Sequence, residues 1–349
     1  MNILQLMATA GGGVPAHVRL LTEVLRTDGH HVDVACEDGD VAVRIGSAPN
    51  LREDMRARRL LRQTCSDYDV VHAHGLRAGA LAALARSVGA DWKLVVTLHN
   101  RPVGGKKVRI IGKMLLHIIA RRAGYVLAVS PDLLEWARSG GVKHAGLALV
   151  PAPELTRGNG KKFRTALEIA DEPIILQVAR LSVQKNLPLF LEALKHIPHR
   201  HWRAVIIGEG PQRAVLQHQI DAEQLPVVLA GRRSDIADAL AAADVFCSTA
   251  SWEGQPVAIQ EALAAGVAIV ATDVGGTRVV TGDRGAILTS ENPEEIGAAL
   301  TRLLNDEKLR AQQGAAASAR AKELPSKQQM LGALMKIYAA TPEEPYYAI

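Results

Sequence analysis

The sequence predicts an α/β fold of two doubly wound, Rossmann-like domains facing each other across a cleft. Three observations predict it. Short apolar runs alternate with helical periods, the alternation breaks once near the middle, and it then restarts at similar length. Strands separated by helices build a parallel sheet covered on both faces. A chain of 349 residues is long enough for two such domains.

The elements follow in order. "NILQLMA" reads as the first strand. "GGGVPAHVRLLTEVLRTDGH" reads as a glycine-rich turn entering a helix, with Val18, Leu21, Val24 and Leu25 on one face. "HVDVAC", "DVVHAH", "KLVVTLHN" and "YVLAVS" continue the first set of strands. "PAPELTRGNGKKFR" then breaks the pattern with proline, glycine and charge, which reads as a linker. "PIILQVAR", "WRAVIIGEG", "PVVLAG", "ADVFCST" and "VAIVAT" form the second set. A helix near Ser326–Ala340 follows Pro325. The expected organisation is a first domain over 1–155, a linker over 156–172, a second domain over 173–325, and a tail over 326–349 that returns to the first domain.

Composition narrows the function classes. The net charge is +5, with 48% hydrophobic and 22% charged residues, a soluble globular balance. The surplus is uneven: residues 1–150 carry +7 and the remainder −2. A modest basic half suits anionic substrates or an anionic surface better than sequence-specific nucleic-acid reading. Cys36, Cys65 and Cys247 are widely spaced, with neither CxxC nor zinc spacing. Together with a first strand that lacks a basic leader, they point to a cytoplasmic chain.

Ligands of open α/β sheets bind at the carboxyl ends of the strands, so the loops there carry the search. The Gly11-Gly12-Gly13 turn lets backbone N–H groups approach an anion at a helix N-terminus; the alternative is a tight turn without a ligand. In "VARLSVQKNL", Arg180 closes a strand and Lys185 follows five residues later. Arg can chelate a diphosphate bidentately and Lys adds a point charge. Gly208 and Gly210 in "IIGEGP" offer another close backbone approach. In "SWEGQPVAIQEALAAG", Glu253 falls in a turn and Glu261 about one turn into a helix that starts near Val257. The free N–H groups of Val257 and Ala258 suit a phosphate or sugar oxygen, and the two carboxylates can accept from vicinal hydroxyls. His72 and His74 suggest a metal by spacing alone, but that pair is too few ligands for zinc.

In sequence order, "GGVPAHVRLLTEVLRTDGHHVDV", "DVVHAHG", "TLHN", "VARLSVQKN", "IIGEGP" and "AAADVFCSTASWEGQPVAIQEALAAGVAIVATDVGG" resemble the family 4 retaining glycosyltransferases of the GT-B fold. The resemblance implies transfer of a hexosyl group from a UDP- or GDP-sugar to a hydroxyl acceptor, in glycoconjugate or cell-envelope biosynthesis. It implies that Arg180 and Lys185 bind the diphosphate and stabilise the leaving group in place of a metal, so no metal and no cofactor are expected. Glu261 would hold the ribose. Glu253, Gly254 and Gln255 would hold the donor sugar, which His99 would touch near the reacting carbon. Gly12, Gly13, Gly208 and the backbone at Val257 and Ala258 would complete the nucleotide and diphosphate site. His72, His74 and Asn100 would line the acceptor side, for a small-molecule, saccharide or lipid-linked acceptor.

The chain departs from the family pattern at "VPAP", Val150 to Pro153, where Val-Pro-Asn-Gly is usual, and Pro256 can donate no N–H. The main rival reading is a nicotinamide-dependent oxidoreductase, supported by "GGGVPA" and Glu37, which would leave the Arg180/Lys185 and Glu253/Glu261 pairs idle; a sugar phosphorylase or epimerase of the same fold is the second.

One segment has two readings. From Trp92 to Pro131 there are eight Lys/Arg and no Asp or Glu. Residues 106–122 are either an ordinary amphipathic helix packed on the sheet, or a helix in peripheral contact with an anionic membrane.

Overall fold

The computed structural model describes residues 1–9, 13–46, 48–102, 104–151, 154–198 and 201–340. The chain divides into two compact units, one of Met1–Pro151 with Pro325–Ile349, the other of Ala152–Leu324.

The first unit contains β1 (Asn2–Met7), α1 (Val14–Thr27), β2 (His31–Cys36), β3 (Val41–Ala42), α2 (Leu51–Thr64), β4 (Val70–His74), α3 (Leu76–Ala85), β5 (Lys93–Leu98), α4 (Lys106–Arg122), β6 (Tyr125–Ala128), α5 (Pro131–Ser139) and β7 (Ala145–Leu147). Its seven strands lie in the order β3-β2-β1-β4-β5-β6-β7 and every pair is parallel. Strand β4 is buried throughout and β5 from Leu94 on; their Val, Leu and Ala residues fill the two faces, while His72, His74 and Thr97 are the polar side chains carried into that interior.

The second unit contains α6 (Gly160–Ala166), β8 (Ile174–Val178), α7 (Leu187–Lys195), β9 (Arg203–Ile207), α8 (Arg213–Ala222), β10 (Val227–Gly231), α9 (Ile236–Ala242), β11 (Val245–Ser248), α10 (Val257–Ala265), β12 (Ala268–Thr272), α11 (Thr277–Thr281), β13 (Ile287–Thr289), α12 (Pro293–Asn305) and α13 (Glu307–Glu323). Its parallel strands lie in the order β10-β9-β8-β11-β12-β13. Alternate residues of β8 enter different cores. Ile175 packs with Ala204, Val245 and Val270, whereas Ile174 and Leu176 pack with Val205, Phe246 and Ile269. That is the period-2 signature of a sheet covered on both faces.

The segment read as a linker over 156–172 needs correction. It holds α6, capped by the Asn159 side chain, which accepts from the Lys162 N–H. Phe163 is fully buried in the second unit's core, with the Arg233 guanidinium 5.1 Å from its ring centroid. Burying that ring contributes about 2–3 kcal/mol. The glycines that suggested flexibility serve close packing instead: a Cβ on Gly158 or Gly160 would lie 1.9 or 2.5 Å from a carbonyl oxygen of α9.

After Leu324 the chain enters α14 (Lys327–Ala339), which opens on a capping box of Ser326 and Gln329. This helix belongs to the first unit. The Tyr338 hydroxyl lies 2.7 Å from His72 Nδ1, and Lys93 Nζ donates to the Ile337 carbonyl at 2.7 Å.

Helix α4 is divided. Gly112, Leu116 and Ile119 are buried, but Val108, Ile110, Ile111 and Met114 are exposed beside Lys106, Lys107 and Arg109. A core-facing role accounts for only part of its apolar face. Among the described residues, no helix is long and apolar enough to cross a membrane.

Candidate active site

Most of the second-unit candidates stand on loops at the carboxyl ends of β8, β11 and β12. The sheet order reverses between β8 and β11, the topological switch point at which open α/β sheets bind ligands.

After β8, Arg180 is exposed, and among the described residues it forms no ion pair. A short 3-10 turn over Val183–Lys185 then presents Lys185, and Asn186 turns the chain into α7 from the left-handed region at φ 46°. This loop is bonded to the one after β11. Gln184 O accepts from the Ser251 N–H at 2.9 Å, and its side chain donates to Trp252 O at 2.9 Å. The join brings Lys185 Nζ into an ion pair with Glu253, whose side chain is nearly buried.

Glu253 is also fixed through its backbone. Its carbonyl accepts from the Gly276 N–H at 2.9 Å, and a Cβ on Gly275 would lie 2.0 Å from that oxygen. Gly275 has φ 54°, so the DVGG turn after β12 requires glycine on two counts.

Gly254 and Gln255 lead on, half-buried, to α10. Its N-cap is Pro256, which supplies no side-chain cap, so the first-turn N–H groups at Val257 and Ala258 have no intrahelical partner. With the helix dipole they form an anion-seeking end beside Lys185 and Glu253. Glu261 stands one turn behind Val257 on the same side and is half-buried; burial raises its carboxyl above the usual range.

Gly208 is a correction. Its N–H donates to Gly231 O at 2.8 Å, so any approach of this glycine to a ligand is not through that N–H. A Cβ there would lie 1.9 Å from Ala179 O, and one on Gly210 would lie 2.3 Å from Leu181 O. Both glycines exist because the loops after β8 and β9 press together.

The first unit holds a second cluster. His74 at the end of β4, His99 just after β5 and His17 in the first turn of α1 have ring centroids 5.3 to 5.8 Å apart. His74 Nδ1 lies 3.2 Å from His99 Nε2, and His74 Nε2 lies 2.7 Å from Gln5 Oε1. Burial keeps all three imidazoles neutral: His17 falls to about 4, and His74 and His99 lie well below the usual 6.5. Asn100 is exposed, and Gly13 is the N-cap of α1. Gly12 lies outside the described residues. His72 is a correction to the acceptor side. It is fully buried, and its ring nitrogens are taken by Thr97 Oγ1 and the Tyr338 hydroxyl, both at 2.7 Å. It braces strands and α14 and has no surface for an acceptor.

Sequence reasoning missed Gln184, Gly275, Gly276 and His17. The DVGG turn was visible, but its bond to Glu253 was not. His17 was within reach, because a 3-2-1-4-5 strand order gathers the loops after β1, β4 and β5 at one edge. Glu37, which favoured the nicotinamide alternative, pairs with Arg44 at 3.5 Å.

Residues 160–320 match the model for glycosyl transferases group 1, and residues 11–153 match that for glycosyltransferase family 4. A phosphatidyl-myo-inositol mannosyltransferase of Mycolicibacterium smegmatis is 30% identical over 346 residues, covering 88% of this chain and 85% of that one. A UDP-Gal:α-D-GlcNAc-diphosphoundecaprenol α-1,3-galactosyltransferase of Escherichia coli is 25% identical, covering 69% and 68%. Among solved structures, Anabaena HepE in complex with UDP superposes with a TM-score of 0.81 at 21% identity, covering 96% of this chain and 99% of that one. The nicotinamide alternative has no support among these matches. The chain belongs to the family 4 glycosyltransferases of the GT-B fold.

Proposed function

We propose that the enzyme transfers a hexosyl group, with retention, from a nucleotide-diphosphate sugar to a hydroxyl acceptor without requiring a metal. The observation that carries this reading is the pairing of Lys185 with Glu253 at the uncapped start of α10, with Glu261 one turn behind. The diphosphate occupies the helix N-terminus, Glu261 accepts from the ribose hydroxyls, and Glu253, Gly254 and Gln255 hold the sugar. As the bond from the anomeric carbon to the diphosphate oxygen breaks, negative charge grows on the diphosphate. Arg180 and Lys185 stabilise that charge more than the ground state. The acceptor oxygen bonds to the anomeric carbon on the same face, and its proton passes to the leaving phosphate oxygen. His99 is assigned to the donor sugar, and His74 and Asn100 to the acceptor.

A UDP-sugar is the favoured donor, with a GDP-sugar as the alternative. Anabaena HepE is complexed with UDP and with UDP-glucose, and the Escherichia coli relative is named for UDP-Gal. The names of two relatives contain a lipid or a lipid-linked sugar, which supports a lipid-linked acceptor. The exposed apolar and basic residues at the start of α4 support peripheral contact with an anionic membrane on its cytoplasmic side. A donor screen read by product mass, with the anomeric configuration read by NMR and EDTA present, tests the reaction. An inverted product, or turnover that EDTA abolishes, would overturn it. Flotation on vesicles with and without anionic lipid tests the α4 contact, and equal recovery from both would end that part.

A further inference from the structure

The histidine cluster of the first unit is arranged like a metal centre. His17, His74 and His99 each offer one ring nitrogen, and the three nitrogens lie within 4.8 Å of one another. A tetrahedral zinc with bonds of about 2.0–2.1 Å separates its nitrogen ligands by about 3.3 Å. His74 Nδ1 and His99 Nε2 already meet that spacing at 3.2 Å. Only His17, in the first turn of α1, has to draw in.

The surroundings select these nitrogens. His74 Nε2 lies 2.7 Å from Gln5 Oε1, an oxygen that can only accept, so the His74 tautomer that donates there turns its Nδ1 lone pair toward His99. A ligating histidine that gives its other N–H to an oxygen acceptor is the usual outer shell of a metal site. Nearby His72 is excluded, since both of its nitrogens are hydrogen-bonded.

We propose that His17, His74 and His99 form a three-histidine site for a borderline divalent cation, Zn(II) above all, with a further position open to water. Imidazole nitrogens without carboxylate or thiolate select Zn(II), Co(II), Ni(II) or Cu(II) over Mg(II) or Ca(II). Its ligands all belong to the first unit and do not include Arg180 or Lys185. A bound cation would tie up the His99 lone pair, so zinc is expected to inhibit transfer; that consequence alone rests on the proposed function.

The test uses the full chain, stripped with EDTA, dialysed and titrated with Co(II). One equivalent should bring up visible d–d absorption, which Zn(II) removes. His17→Gln and His99→Gln should each cost more than the roughly 10- to 100-fold in affinity expected for the outer-shell variant Gln5→Leu. His144→Ala, outside the cluster, should bind as the parent does. Circular dichroism checks that each variant is folded. Absence of Co(II) absorption in the parent would overturn the site, as would undiminished binding in folded His17→Gln and His99→Gln. Neither reading depends on transferase activity.

Discussion

Gly275→Ala should damage the candidate site through a residue that touches no ligand in the proposed reaction. At φ 54° an alanine carries about 1–2 kcal/mol of left-handed strain. Its Cβ would also lie 2.0 Å from Glu253 O, so that carbonyl must move by more than an ångström. The Gly276 N–H bond to the same oxygen is then lost, at about 1 kcal/mol. The total is about 2–3 kcal/mol, or roughly 4–12 °C in the midpoint of a unit of this size. Glu253 moves with its carbonyl and releases Lys185, so turnover falls as well. The control is Gly266→Ala in the same unit. Gly266 has φ 68°, but nothing closer than 3.5 Å to a Cβ, so only the dihedral strain applies. Thermal unfolding and steady-state kinetics of both variants give the comparison. If Gly275→Ala costs no more stability than Gly266→Ala and keeps full turnover, the reasoning is wrong.

Three further predictions follow from the second unit. Gln260 on α10 is fully buried, and neither amide atom has a partner among the described residues, so Gln260→Met should stabilise the unit by about 1–3 kcal/mol in urea unfolding; destabilisation would show that the amide is satisfied in solution. The Glu261 carboxyl is raised by burial, so its charged form costs stability above the usual value of 4.5. Glu261→Gln should therefore raise the midpoint at pH 7.5, and this gain should vanish as pH falls to the unfolded value; a gain that persists at pH 4 would contradict the burial argument. Glu261→Ala should mainly weaken nucleotide affinity in calorimetry, while Glu253→Ala should mainly lower kcat; equal small effects would return both acids to an ordinary turn and helix.

The sequence carried most of the fold, because buried parallel strands are continuous apolar runs and ten of them stand out between helical periods. The strands it did not show are β3, β7 and β13, which have two or three residues each and sit at the sheet edges, too short for any period. Helix α6 was hidden because its one buried anchor, Phe163, lies among Lys161, Lys162 and Arg164, and because glycines needed for packing look the same as glycines of a linker. At the site, the types and order of Arg180, Lys185, Glu253 and Glu261 were legible. The ion pair between Lys185 and Glu253, 68 residues apart, was not, because it depends on how two loops join. Gly208 reads in the sequence only as a close backbone approach; the carbonyl of Ala179 that a Cβ there would meet at 1.9 Å shows up only once the loops are placed.

The central claim is that fixed cations of the second unit carry the charge of the leaving diphosphate. It is tested most directly by single-turnover transfer from a UDP-sugar, in EDTA, by Arg180→Ala and Lys185→Ala against the parent. The account predicts that each variant folds, still binds nucleotide, and loses about 100- to 1,000-fold in the rate of the chemical step. A rate within a few-fold of the parent in either variant would contradict it.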